Sequence, residues 1–132
     1  MIYQLKDIQP NNIKITSKFG SNDSLNSNKY YEILCNSIYV PVPHGFFHPE
    51  TYRFYEALES GCIPLVENPH NFYDVIYSNN PIKKLTTWSE ARNFIKQNYK
   101  NKSLTLEYSE ELNYWWKSVI ADFQKNMSIK IS

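Results

Sequence analysis

Two short runs rich in β-branched residues, SIYVPVP (37–43) and CIPLVE (62–67), are separated by a segment with helical periodicity. Both runs are almost continuously apolar, which is typical of strands buried on both faces of a parallel sheet. Parallel neighbours cannot be joined by a tight hairpin, so the segment between them predicts a helical crossover. This strand–helix–strand pattern constrains the fold more than any other feature of the chain.

The rest of the chain continues the same alternation. We predict a strand over 11–16, a helix over 25–36, a polar loop over 67–81, an extended piece over 82–85 and a helix that starts with the capping box at Thr87. The last helix has an apolar stripe at steps of three and four: Leu112, Trp115, Trp116, Val119, Ile120 and Phe123. Alternating strands and helices predict an α/β fold, a Rossmann-like open parallel sheet flanked by helices.

The helix ends are predicted from capping residues. Ser21 or Asp23 is expected to cap the 25–36 helix, and Pro49 is expected at the first position of the helix that Gly61 ends. The 132 residues suit one domain, 1–132, and the polar segment 124–132 is expected to fray.

Composition limits the classes of partner. A formal net charge of +1 gives no reason to expect nucleic acid or an anionic membrane. Cys35 and Cys62 stand in apolar sequence, so we expect two buried reduced thiols rather than a disulfide or a zinc site. No apolar run approaches the ~20 residues of a membrane span, and the N-terminal residues lack a signal-peptide pattern. The compartment is not indicated, and the cytoplasm is the default expectation.

Polar side chains follow the two predicted core strands where each one ends. They are His44, His48, Glu50, Glu67, Asn68 and His70, and Gly45 lies in the same turn. Open α/β sheets bind ligands at the carboxyl ends of their strands, and the N-terminus of a following helix attracts anions. This edge of the sheet is therefore a predicted site for a phosphate or diphosphate.

Glu50, Arg53 and Glu56 are spaced at i, i+3 and i+6 in the predicted helix that starts at this edge. An arginine there suits a diphosphate, and a carboxylate one turn later suits the hydroxyls of a ribose. The same spacing is also typical of a solvent-exposed row of ion pairs, which contributes little to stability. Spacing alone leaves both interpretations open.

Other site chemistries have less support in the sequence. No two histidines stand at i, i+4 on a predicted helix, since His44 and His48 lie in a loop, so a metal site is not expected. A nucleophilic thiol at Cys62 is disfavoured, because Cys62 begins a buried strand away from the polar edge. Glycine-rich phosphate loops are absent from the sequence, which leaves the helix N-terminus as the predicted phosphate holder.

The segment YYEILCNSIYVPVPHGFFHPETYRFYEALESGCIPLVE resembles the nucleotide-sugar-binding half of exostosin-like glycosyltransferases. It is most similar to the ribitol xylosyltransferase type, which has a Glu-x-x-Arg-x-x-Glu-Ala helix followed by a Gly-x-Ile-Pro strand. The similarity covers residues 30–66 and extends weakly through the Trp88-Ser89-Glu90-Ala91 helix.

The resemblance implies the C-terminal half of a GT-B fold, which binds a nucleoside diphosphate sugar such as a UDP-sugar without a metal or another cofactor. It places the diphosphate at Arg53, the ribose at Glu56, and the donor sugar or phosphates at Glu50. The remaining implied donor-binding residues are His44, Gly45 and Thr51, with Glu67 and Asn68 as weaker candidates. The catalytic residue stays unknown, and Glu50 is the one weak candidate.

The resemblance also implies partners. A GT-B enzyme has an N-terminal domain that contacts the glycan acceptor, and such a domain is not evident here, so we expect a donor-binding half that needs a missing domain or a partner chain. The aromatic residues Tyr114, Trp115 and Trp116 are candidates for that contact, although core packing is the favoured role for at least one of the tryptophans. Family members are often Golgi proteins with a membrane anchor, which this sequence does not show. The alternatives are a non-catalytic nucleotide- or partner-binding module and a doubly wound domain without sugar chemistry.

Overall fold

A computed structural model describes residues 1–18 and 20–131 of the chain. The elements in chain order are α1 (Ile2–Leu5), α2 (Ser27–Cys35), β1 (Tyr39–Val42), α3 (Tyr52–Glu59), β2 (Ile63–Glu67), a 3₁₀ turn (Pro69–Asn71), α4 (Phe72–Ile76), β3 (Lys83–Leu85), α5 (Trp88–Tyr99) and α6 (Lys102–Ile131).

The three strands form one parallel sheet in the order β1-β2-β3. Val42 pairs with Val66 across β1 and β2, and Leu65 pairs with Lys83 across β2 and β3. Residues 63–66 of the central strand are buried, as their continuous apolar pattern predicts. The predicted α/β class and the open parallel sheet flanked by helices are confirmed, in an arrangement consistent with a Rossmann-like layer.

Helix α3 packs against both β1 and β2. Its buried residues Phe54, Ala57 and Leu58 recur at steps of three and four, which places them on one face. Complete burial of a side chain such as Phe54 stabilises the fold by roughly 1.5–3 kcal/mol. Leu112 and Trp116 of α6 close the same core, so α3 is held between the sheet and the last helix.

The predicted strand over 11–16 is wrong. The structure describes all of these residues and assigns them to no strand or helix. Ile13 and Ile15 are exposed, and β1 pairs with β2 alone among the described residues. An alternating pattern does not form a strand without a neighbour that supplies backbone hydrogen bonds.

The predicted caps of α2 are also wrong. Asn26 is the N-cap, and its side chain accepts a 2.9 Å hydrogen bond from the Lys29 amide. Ser21 and Asp23 are hydrogen-bonded to each other instead, and Asp23 also accepts from the Ser17 amide at 3.0 Å. These residues stabilise the preceding loop rather than the helix.

Helix α3 begins later than predicted. Thr51 is its N-cap, so Pro49 and Glu50 lie before the first turn. Glu50 therefore does not share a helix face with Arg53 and Glu56. The cause is tertiary, because the Glu50 side chain accepts a 2.9 Å hydrogen bond from the Tyr77 hydroxyl of the chain that follows α4.

The predicted polar loop over 67–81 contains helix α4, which the sequence pattern did not indicate. Tyr73 of this helix is fully buried and lies 4.9 Å from Phe54 between ring centroids. Asn68 replaces a regular cap, since its side-chain oxygen accepts from the Tyr73 amide at 2.9 Å. Burial of an aromatic ring stabilises a helix whose sequence alone has little helical signal.

The two cysteines differ. Cys62 is buried, as predicted, and its thiol donates to the Leu34 carbonyl at 3.1 Å. Burial raises the pKa of the Cys62 thiol to about 11, which opposes thiolate formation. Cys35 was predicted to be buried and is exposed, because Leu34 is the buried residue of α2 and the next residue lies about 100° further around the helix.

Helix α6 continues to Ile131, so most of the segment predicted to fray is helical, and Ser132 lies outside the described residues. Residues 121–131 are all exposed, and fraying of this end stays a prediction. None of the helices in the described ranges is both long enough and apolar enough to cross a membrane.

Candidate functional site

A groove of about 410 Å³ lies at the carboxyl edge of the sheet, where all three strands end. Its lining residues come from the ends of the three strands and from the turns that follow them: His44, Glu67, Asn68, Pro69, Asn71, Lys84, Leu85 and Thr86. The rule for open α/β sheets predicts a ligand site at this edge. Three of the predicted site residues, His44, Glu67 and Asn68, line the groove together.

Glu67 connects three elements at this edge. One carboxylate oxygen accepts a 2.9 Å hydrogen bond from the His44 amide, and the other accepts a 2.7 Å bond from the indole nitrogen of Trp88. The His44 ring nitrogen Nε2 lies 3.8 Å from the same carboxylate. Both oxygens of Glu67 are thus engaged by groups of this chain, and the carboxylate holds the edge together.

The lysine of the groove is also paired. Lys84 Nζ lies 2.6 Å from the carboxylate of Asp74, and Asn68 Nδ2 donates to the same carboxylate at 2.8 Å. These contacts hold the pKa of Asp74 below its ordinary value. Lys84 is only partly exposed, so it contributes a neutralised pair rather than a separate cation to the groove. The polar groups of the groove suit uncharged hydroxyls better than several phosphates.

The loop after β1 forms a closed turn. The Gly45 amide donates to the His48 carbonyl at 2.9 Å, and a Cβ at residue 45 would lie 2.7 Å from that carbonyl oxygen. Glycine is required here by this close approach. His44 and His48 are exposed on either side of the turn, and His70 is exposed in the turn after β2.

The N-terminus of α3 differs from those of α2 and α5. Asn26 caps α2 and Thr87 caps α5 through their side chains, whereas the Thr51 side chain makes no capping bond to α3. The buried Thr51 hydroxyl has no hydrogen-bond partner among the described residues. The first-turn amides of α3 therefore keep the positive end of the helix without a side-chain acceptor.

Glu50 lies in a cluster of tyrosine hydroxyls. It accepts from Tyr77 at 2.9 Å, and the Tyr55 and Tyr77 hydroxyls are 3.4 Å apart. Burial, together with the hydrogen bond to Glu50, raises the pKa of Tyr55, and burial also raises the pKa of the neighbouring Tyr73. Glu50 consequently accepts from neutral phenols and joins the start of α3 to the end of α4.

Arg53 and Glu56 share one neighbour, Tyr30 of α2. The Tyr30 hydroxyl donates to Glu56 at 2.8 Å. Burial and this hydrogen bond raise the pKa of Tyr30, and the nearby Arg53 guanidinium acts in the opposite direction. Arg53 is exposed and forms no ion pair with any described residue. The interpretation of Glu50, Arg53 and Glu56 as a row of ion pairs is therefore wrong.

The predicted site residues do not form one cluster in the structure, and Glu50 contacts Tyr77 in the tyrosine cluster. His44, Glu67 and Asn68 line the groove, while Arg53 and Glu56 lie on the exposed side of α3 beside Tyr30. Four residues at these places were not among the predicted site residues: Tyr30, Tyr77, Lys84 and Trp88. Tyr30, Tyr77 and Trp88 each contact a predicted site residue more than fifteen positions away, so local spacing carried no signal for them. Lys84 contacts Asp74 and Asn80, which were not among the predicted site residues.

Within residues 1–18 and 20–131, no cluster of three or more His, Cys, Asp or Glu side chains is placed to hold a metal ion. Comparison of the chain with protein-family models, with curated proteins and with solved structures finds no match. The resemblance to exostosin-like glycosyltransferases thus stays a prediction from the residues.

Proposed function

We propose that this chain is the donor-binding half of a glycosyltransferase and that it binds a nucleoside diphosphate sugar at the carboxyl edge of its sheet. The observation that carries the proposal is the groove of about 410 Å³ at the joint ends of three parallel strands, where the loop that leads from β1 to α3 begins. Such edges are where open α/β sheets hold nucleotides.

The diphosphate would lie at the N-terminus of α3. The first-turn amides there have no side-chain cap, and the helix dipole attracts negative charge. Arg53, the second residue of the helix, is exposed and unpaired by any described carboxylate, so its guanidinium is available for two hydrogen bonds to phosphate. In this arrangement the first-turn amides of α3 and the Arg53 guanidinium, without a metal, stabilise the departing diphosphate.

The ribose and the donor sugar would lie on either side of the diphosphate at the N-terminus of α3. Glu56 is exposed and accepts from the Tyr30 hydroxyl through one carboxylate oxygen, Oε2, so its other oxygen would accept from a ribose hydroxyl. On the groove side, His44, Asn68, Asn71 and Thr86 offer hydrogen-bonding groups of the kind that recognise sugar hydroxyls. In this arrangement Tyr30 is a positioning residue for Arg53 and Glu56.

Catalysis is proposed to need a second domain. Glu50 accepts from Tyr77, and both oxygens of Glu67 accept from this chain. A general base needs its carboxylate within reach of the acceptor hydroxyl, and these two carboxylates are held by other groups. The catalytic base and the acceptor contacts are accordingly assigned to a partner domain.

The test is calorimetric titration of the full chain with UDP, UDP-xylose and UDP-glucose. We expect binding by wild type and at least about tenfold weaker binding by Arg53→Ala, since the lost contact is a charge-assisted pair. Lys96→Ala is the matched control, because Lys96 is an exposed cation on α5, away from the sheet edge. Absence of heat with every nucleotide, or equal binding by Arg53→Ala and wild type, would contradict the donor site.

A second candidate function is a binding module that holds a nucleotide without transferring a sugar. The engagement of Glu50 and Glu67 by their own chain favours it. Turnover separates the two candidates. Sugar release or transfer in the presence of a partner domain would support the transferase, and tight binding without turnover under the same conditions would support the module.

A further inference from the structure

We infer that the tip of the loop between β1 and α3, formed by Phe46 and Phe47, is a stacking platform for a carbohydrate chain next to the groove. The inference rests on the proposed function and extends it, because it assigns part of the acceptor contact to this domain. Sugar rings present an apolar face of C–H groups and a rim of hydroxyls. The loop tip and the groove offer a partner for each.

The exposure of the two rings is unusual. Phe46 is completely exposed, the exposed fraction of Phe47 is 97%, and that of Tyr52, at the start of α3, is 86%. Fully exposed adjacent phenylalanines cost solvation free energy in the monomer, and clusters of exposed apolar surface mark interaction sites. The core of this domain makes no use of these rings.

The rings are held at the edge of the sheet. The hydrogen bond from the Gly45 amide to the His48 carbonyl closes the turn around Phe46 and Phe47 at 2.9 Å. On one side the turn continues into His44, whose amide is bound by Glu67 in the groove wall. The platform is therefore adjacent in the chain to the groove and is anchored by the same carboxylate.

The size of the platform is too small for a stable protein interface. An aromatic side chain buries about 150–250 Å², so two phenylalanines supply roughly 300–500 Å². A standard interface buries about 800 Å² per partner. Two rings do match the area of one or two sugar residues, which are of similar width to a benzene ring.

The charge around the platform does not suit an anionic membrane. Residues 43–52 contain no lysine or arginine, and they include the carboxylate of Glu50. Peripheral membrane contacts that use exposed aromatic residues are generally strengthened by basic neighbours. Arg53, directly after Tyr52, is a single cation and not a basic cluster. The charged groove residues Glu67 and Lys84 are engaged within the chain, which leaves hydrogen-bonding groups such as the imidazoles of His44 and His48 and the side chains of Asn71 and Thr86. Such groups fit the hydroxyl rim of a neutral sugar.

The experiment is affinity electrophoresis of the full chain in gels that contain soluble xylan, mannan, galactan or β-glucan. The test variant is Phe46→Ser/Phe47→Ser, and the matched control is Tyr114→Ser/Phe123→Ser, which removes two exposed rings from α6. We expect at least one polysaccharide to retard wild type and the control equally. The loop variant should bind about tenfold more weakly or worse, because the apolar area that binding buries is gone.

UDP titration of the same three proteins distinguishes this inference from the proposed function. Equal UDP binding together with selective loss of glycan retention would support the platform. Retention of the loop variant, or no retention of wild type in any gel, would overturn the platform and leave the donor site standing. Glycan retention without UDP binding would support the platform and contradict the donor site. Two other results would overturn the choice of a carbohydrate if no glycan retains wild type. One is binding of wild type, but not of the loop variant, to phosphatidylcholine–phosphatidylserine vesicles. The other is dimer formation by wild type that the loop variant has lost.

Discussion

The carboxylate of Glu67 accepts a 2.7 Å hydrogen bond from the indole nitrogen of Trp88, which joins the end of β2 to the first residue of α5. The other oxygen of Glu67 holds the His44 amide at the end of β1. One side chain thus fixes the relative positions of three elements around the groove. Glu67, a weaker donor-binding candidate in the sequence, is therefore a structural residue that links the elements of the site.

Replacement of Glu67 should destabilise the fold and the groove together. For Glu67→Ala we expect a loss of roughly 1.5–3 kcal/mol in the free energy of unfolding, the usual range for hydrogen bonds to a charged group. Urea unfolding followed by tryptophan fluorescence measures the change. Glu110→Ala, on the exposed side of α6, is the control and should stay within about 0.5 kcal/mol of wild type. Equal losses in both variants would contradict this role.

Glu50 and Tyr77 should be energetically coupled, because the Tyr77 hydroxyl donates to Glu50 at 2.9 Å. A double-mutant cycle with Glu50→Ala and Tyr77→Phe is expected to give an interaction free energy of roughly 0.5–3 kcal/mol. Tyr99→Phe in place of Tyr77→Phe serves as the control, since Tyr99 is exposed on α5. An additive cycle for Glu50 and Tyr77 would show that the contact does not stabilise the start of α3.

Gly45→Ala should distort the turn after β1. The added Cβ would lie 2.7 Å from the His48 carbonyl oxygen, so the backbone must move, and we expect a cost of roughly 1–3 kcal/mol. Thermal unfolding measures the cost. Gly61→Ala is the comparison, because that site has a φ of +74° and open space around it, so its expected cost of about 1–2 kcal/mol comes from backbone strain alone. Only Gly45→Ala is expected to weaken glycan or nucleotide binding as well.

Acid should weaken the start of α5. The Thr86 amide and the Lys83 ammonium hold the pKa of Glu90 below its ordinary value of 4.5. Because the pKa is lower in the folded state than in the unfolded state, the stabilisation is present above pH 4.5 and is lost as the pH falls through the folded-state pKa. Unfolding free energies between pH 3 and 7 should therefore fall more steeply below pH 4.5 for wild type than for Glu90→Gln. Parallel pH profiles would contradict the shift.

Local patterns predicted a large part of the fold. Strands β1 and β2 and helix α3 follow from apolar runs and helical spacing between residues 37 and 67, and the residue types of the capping box predict the start of α5 at Thr87. These features depend on neighbouring residues in the chain, so the sequence is enough to recognise them. The parallel arrangement follows as well, because a helical crossover between two buried strands leaves no other simple connection.

Features that depend on distant residues were not predictable in this way. Residues 11–16 alternate like a strand but lie at no sheet edge, and α4 forms because Tyr73 is buried against Phe54. The spacing of Glu50, Arg53 and Glu56 indicated one helix face, yet Glu50 lies before the helix and contacts Tyr77. For α4 and Glu50 a partner more than ten positions away decides the structure, whereas residues 11–16 lack the partner strand that their pattern requires.

By itself, the sequence determined the α/β class, the parallel pairing of β1 with β2, and the edge of the sheet at which polar residues gather. Only the tertiary structure decided which of those residues face the groove and which are held by their own chain, as Glu67 is held by Trp88 and Glu50 by Tyr77. The reason is physical. Periodicity records which side of an element is buried, whereas the partner of a polar side chain depends on where the other elements pack.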